Sequence, residues 1–198
     1  MRAVREDGQS IELLENGTWR VSTQSSNIAD GSFRGVPWGT HPGQAKRKEQ
    51  VEPREDVGDL LIWSDVRLGN LTCDVVYIYV QDVLVRGKYV VREDWLNENR
   101  YLAEYDALKS LLCKKYGAPA ADDVFWSNDL WRDDPNEWGK AVEHGHLSMY
   151  AHWENGDSRV LLHLAGENYH STLGIEYASI RLGALEDRVR ESALLDEL

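Results

Sequence analysis

The chain has 198 residues, 42% hydrophobic and 28% charged, which is enough for one sizeable core and excludes disorder of the whole chain. A formal net charge of -12 argues against sequence-independent nucleic-acid binding, because that mode neutralises phosphates with Lys and Arg, and no nucleic-acid partner is expected. No apolar run approaches the roughly 20 residues of a membrane span, and the opening MRAVREDGQS lacks the apolar stretch of a signal peptide.

The expected compartment is therefore the cytoplasm. The alternative is a periplasmic or secreted protein whose signal peptide has been removed. Two cysteines, Cys73 and Cys113, allow one disulfide but no framework, and without a signal they read as reduced thiols. Eight tryptophans stand against two phenylalanines, and large amphipathic rings suit a core and a recognition surface equally.

In chain order, Asp7-Gly8 and Asn16-Gly17 supply the positive φ angles of tight turns on either side of Ser10 to Leu14, which predicts an N-terminal β-meander over residues 1–22. The Ser- and Asn-rich residues 23–32 read as a linker. From Phe33, FRGVPWGT and HPGQAKRKEQV predict a short strand, a turn and a short helix. Then DLLIWSDVRL, TCDVVYIYV and VLVRGKYVV predict three strands whose short links at Gly69-Asn70 and Gln81-Asp82 force antiparallel pairing. In NENRYLAEYDALKSLLCKKYG, residues Tyr101, Tyr105, Leu108 and Leu112 recur at helical spacing, with Leu102 and Leu111 broadening the stripe. Lys114 and Lys115 suit the last turn, Gly117 the C-cap, and Pro119 stops the helix.

Residues 146–165 read as a hairpin turning at Asn155-Gly156. A two-residue turn there pairs Glu154 with Asp157, hence Met149 with Leu162 and Leu147 with Leu164. Those residues, with Ala151 and Val160, form the apolar face; His146, Ser148, Tyr150, His152, Arg159 and His163 lie on the other. A further strand, STLGIEYASIRL, precedes a C-terminal helix over 184–198, on which Leu185 and Val189 start an apolar stripe. The expectation is an α+β fold with helices packed on one face of a twisted antiparallel sheet, suggesting a duplicated helix plus three-strand unit. The core domain spans 33–183.

The segment DGQSIELLENGTW, residues 7 to 19, resembles a short β segment of many bacterial envelope proteins. FRGVPWGTHPGQAKRKE, residues 33 to 49, together with VLVRGKYVV and CKKYGAP, resembles an uncharacterised bacterial family with a strand, a Trp-Gly turn, a helix and a meander. The helix-on-meander order is similar to small outer-membrane assembly lipoproteins and to tandem-repeat beta-lactamase inhibitory proteins. What the resemblance implies is a non-catalytic protein-binding or adaptor role of bacterial type.

Chemistry-bearing clusters are few. His144, His146, His152 and His163 lie near one another in the hairpin reading, but a flat sheet face spreads its side chains, whereas zinc needs three or four converging ligands. No metal and no cofactor is expected. The segment FWSNDLWRDDPNEWGK combines Trp126, Trp131 and Trp138 with Asp129, Asp133, Asp134 and Glu137, yet lacks EF-hand spacing because Pro135 stands where a second ligand would. No nucleophile elbow, Walker loop or HExxH occurs, so no catalytic residue is assigned.

The reading is a non-catalytic protein-binding protein that presents Trp131, Trp138, Tyr150, Trp153, Leu185 and Val189 to another protein or to a second copy. Two alternatives stand beside it: a hydrolase using acids of the 122–137 loop, and an immunity or inhibitor protein whose acidic surface covers a basic site.

Overall fold

The computed structural model describes residues 31–196 and, by backbone alone, three short strands before them: β1 (Arg2–Val4), β2 (Ser10–Leu13) and β3 (Trp19–Val21), paired antiparallel in that order. The two Gly turns of this meander and most of the expected linker lie outside the described residues.

A small hairpin of β4 (Ser32–Phe33) and β5 (Val36–Pro37) leads into α1 (Pro42–Glu49), which starts on a proline and carries Lys46, Arg47 and Lys48 in its last turn, where its dipole favours positive charge. There follow β6 (Glu55–Val57), β7 (Leu60–Leu68), β8 (Leu71–Val80), β9 (Val83–Val91), α2 (Asn99–Tyr116), β10 (Ala121–Trp126), α3 (Trp138–Glu143), β11 (Leu147–Asn155), β12 (Ser158–Glu167), β13 (His170–Ser179) and α4 (Gly183–Asp196). Strands β6 to β13 form one eight-stranded antiparallel sheet in the order β10-β11-β12-β13-β9-β8-β7-β6. Each half is a helix followed by four antiparallel strands, one strand more than the expected three, with α3 inserted between β10 and β11 in the second half, and the last strands of the two halves, β9 and β13, pair at the centre.

The burial pattern follows from period-two geometry. On β8, Leu71, Cys73, Val75, Tyr77 and Tyr79 are buried beneath the helices, and on β12 Val160, Leu162 and Leu164 continue that face. Helix α2 inserts Tyr101, Tyr105, Leu108 and Leu112 into it. Leu102 packs at the margin, but Leu111 is exposed, because its position on the helix lies outside the arc that reaches the sheet. Helix α1 contributes Ala45 to a second cluster with Trp63, Tyr77 and Leu84. The fourth helix departs from the one-face expectation: Leu182 packs near α1's cluster, but Glu186 pairs at 2.8 Å with Arg86, which shares the opposite face with Glu176. Leu185 and Val189 are half-buried in this docking, whereas Leu194 and Leu195 are exposed.

At the hairpin, the faces are as the alternation requires, but the pairing is displaced. Asn155 pairs with Ser158, so Met149 faces Leu164 and Ala151 faces Leu162. The turn is centred on Gly156-Asp157, and only Gly156 has positive φ (60°). That is the signature of a type II′ turn with Gly first, where the Asn-Gly dipeptide had suggested type I′. Asp157 is held in the second position by accepting hydrogen bonds from Ser179 Oγ (3.0 Å) and Arg181 N (2.7 Å). A shift of two residues in pairing keeps every side chain on its face.

The seam between the halves is filled by Phe33. Gly87 pairs with Tyr77 on one side and Tyr177 on the other, and the Phe33 ring lies over its bare backbone, with centroids 5.0 Å from Tyr77, 5.3 Å from Tyr89 and 5.4 Å from Tyr177. A Cβ on Gly87 would stand 2.0 Å from that ring. Trp38 adds a buried hydrogen bond from Nε1 to Ser158 Oγ at 2.9 Å, tying the first half to β12. Gly87→Ala should therefore cost about 1–3 kcal/mol through overpacking, and Phe33→Ala about 3–5 kcal/mol through loss of the buried ring. Urea denaturation curves of the two variants check both values.

Candidate functional site

The two edges of the sheet differ. Strand β6 is three residues long and charged. Lys46 pairs with Asp56 at 2.5 Å and Arg54 with Glu55 at 2.8 Å, which is how natural sheets discourage further pairing. Strand β10 is twice as long, with no proline or lysine, and is exposed along almost its whole length. Its register with β11 puts Asp122, Val124 and Trp126 on the helix-covered face and Asp123 and Phe125 on the other. Val124 is 51% exposed and Phe125 56%, so apolar surface shows on both sides of the same edge. Beyond Phe125, Tyr150 meets its ring edge-to-face at 5.9 Å.

Past Trp126 the aromatic cluster begins. Trp126 packs on Trp138 at 5.6 Å, and Trp138 donates Nε1–H to the Arg132 carbonyl at 3.1 Å, which anchors the loop onto α3. Trp131 stacks on His146 at 4.9 Å and meets the edge of His144 at the same separation; His144 in turn touches Tyr169, which is 71% exposed at the β12–β13 turn. The histidines thus divide. His144 and His146 belong to this cluster, with ring centroids 6.1 Å apart, while His163 lies on the open sheet face opposite Tyr150. Among the described residues no group of three His, Cys, Asp or Glu converges as a metal site.

The acids of residues 122–137 are mostly engaged locally. Asp122 pairs with Lys109 at 2.6 Å, Asp129 with Arg132 at 3.0 Å and Glu137 with Lys140 at 2.5 Å, and Asp134 accepts from the Asn136 amide at 3.0 Å. Asp123 and Asp133 have no ion-pair partner among the described residues. No disulfide joins Cys73 to Cys113, and burial, reinforced by Glu93 and Asp74, pushes the Cys73 thiol up to about 11, well away from a reactive thiolate.

The six residues singled out in the sequence fall in four places. Trp131 and Trp138 lie in the aromatic cluster, Tyr150 on the open face behind β10, and Leu185 and Val189 on the docked half of α4. Trp153 is a core residue, 1% exposed, with its Nε1–H given to the Gly117 carbonyl at 3.0 Å, so it offers no binding surface. What sequence reasoning passed over is β10 itself. Phe125 and Trp126 read there as the start of an acidic loop, although Val124-Phe125-Trp126 is a run of strand formers bounded by Pro119 and Asn128. Comparison with protein-family models, curated proteins and solved structures finds no match. No helix among the described residues is long and apolar enough to cross a membrane.

The open face also carries a titratable group. The His163 imidazole lies across β13 where Gly174 has no side chain, with Nε2 2.7 Å from the place a Cβ would take. Burial lowers its pKa below the ordinary imidazole value, and the opposing pull of Glu176 does not restore it. The unfolded chain therefore binds this proton more readily. The contribution to stability is complete above the unfolded pKa of about 6.5 and is lost as pH falls below it, with each unit of displacement worth about 1.4 kcal/mol. The melting temperature should fall between about pH 7.5 and about pH 5.5, and His163→Gln should flatten that fall. A decline of the same size in the variant would assign it to other groups.

Proposed function

We propose that the chain is a non-catalytic protein-binding module that takes up an extended polypeptide segment along β10. The observation that carries this reading is the unprotected edge. An eight-stranded sheet that blunts one margin with a short, ion-paired strand leaves the other open, with Val124 and Phe125 exposed on its two faces. Strand addition at such an edge draws affinity from backbone hydrogen bonds and specificity from alternate side chains. Here the alternate sites are the Trp126–Trp138 side and the Phe125–Tyr150 side. An adaptor role of bacterial type, and the related inhibitor role, are both served by this geometry. The acids of the 122–137 segment favour binding over hydrolysis, because their ion pairs and turn hydrogen bonds leave no facing pair of free carboxylates.

Val124→Lys places a charge on the edge without removing a core contact, so stability should change by no more than about 0.5 kcal/mol. A partner retained by the unmodified protein in cross-linking and affinity capture should be lost. Retention of the same partner by both Val124→Lys and Phe125→Lys would place binding elsewhere on the molecule.

A further inference from the structure

We infer that the segment taken up by β10 is the β10 of a second copy, paired antiparallel about a two-fold axis at Val124; this rests on the binding reading above. The backbone decides the parity. Ser127 donates its N–H to the His146 carbonyl at 2.8 Å, in register with Trp126 opposite Leu147. The N–H and C=O groups of Phe125 and Asp123 therefore face β11, and those of Asp122, Val124 and Trp126 face outward, since antiparallel ladders alternate. A partner strand must use those three residues.

For two copies related by a two-fold axis, only registers that pair outward residues with outward residues form bonds. Two such registers overlap over most of the strand. One is centred on Asp123 and sets its carboxylate directly against its own copy, which is destabilising. The other is centred on Val124: Val124 pairs with its counterpart, Asp122 with Trp126 of the second copy, and Trp126 with Asp122. Each of these pairs exchanges two N–H···O bonds. Asp123 then lies opposite Phe125 in place of another carboxylate. Of the carboxylates this register brings near the second copy, Asp122 is already paired with Lys109 of its own chain at 2.6 Å, which leaves Asp123 as the acid whose position the register has to settle. A closed two-fold contact also removes the sheet's one unguarded edge without propagating into a fibre.

Proline at position 124 separates the alternatives. The Val124 amide points away from β11, so Val124→Pro removes a donor that only a second copy would use, and edge positions tolerate proline on that side. Sedimentation equilibrium of the full chain in the micromolar range should report twice 22.6 kDa. Val124→Pro should sediment at 22.6 kDa with its circular dichroism unchanged, the dissociation constant rising by more than about tenfold. Val124→Lys serves as a second variant should the proline disturb folding. Hydrogen exchange in the unmodified protein should slow the amides of Asp122, Val124 and Trp126 as concentration rises, while Asp123 and Phe125 stay slow throughout. A chain that remains monomeric, or a dimer that both variants leave intact, overturns the inference. If the chain is monomeric yet a foreign partner is lost from Val124→Lys, only the second copy is ruled out; if that partner also persists, the edge reading falls with it.

Discussion

The pairing of β9 with β13 is the contact on which the rest of the architecture depends. Each half of the molecule is a helix and four antiparallel strands, and each set of four alone would carry two open edges. Joining the last strands of the two halves consumes one edge from each and aligns the buried faces so that α1 and α2 share a single side. The join is made specific by the absence of a side chain at Gly87, which seats Phe33 between tyrosines of β8 and β13. The small β4–β5 hairpin is therefore a keystone of the seam, and Arg34 within it ties the hairpin to α1 and to β9. It forms a paired hydrogen bond with Glu49 at 2.7 and 2.9 Å and donates to the Tyr89 hydroxyl at 3.1 Å. Burial alone would raise the Glu49 carboxyl, but the hydrogen bonds from Arg34 and Tyr77 outweigh it and hold the group below the usual carboxylate range.

Because the seam uses the last strand of each half, the first strands become the margins of the whole sheet. That single topological fact sets β6 and β10 as the edges and makes their different chemistry meaningful. The charged, three-residue β6 is closed to further pairing, whereas β10 shows apolar side chains on both faces and a row of outward backbone groups. The aromatic cluster of Trp126, Trp131 and Trp138 stiffens the loop that leaves β10, so the edge is presented by a fixed element.

Much of this was legible in the sequence. Strands β7, β8 and β9, their turns, and the buried stripe of α2 follow from period-two and period-3.6 patterning and from Gly and Asp at positions of positive φ. The division of the β11–β12 hairpin into an apolar and a polar face was equally determined, because a side chain's face depends only on its parity along the strand. The exact partner of each residue was not: Asn155-Gly156 fits either of two turns, and the choice rests on Asp157 being held by Ser179 and Arg181, which are more than twenty residues away.

The order of the strands, the seam at Gly87 and the identity of the edges belong to tertiary structure alone. No local pattern in β9 or β13 states that they pair with each other, since apolar patterning marks a strand and its faces but does not name its neighbour. For the same reason β10 did not announce itself. An edge strand buries little of either face, so ADDVFW lacks the alternation that marks an interior strand, and its acids join it by composition to the loop that follows. Trp153 shows the converse. One indole in a tryptophan-rich chain cannot be assigned to core or surface from its neighbours in sequence, and its burial was decided by where α2 ends and offers the Gly117 carbonyl.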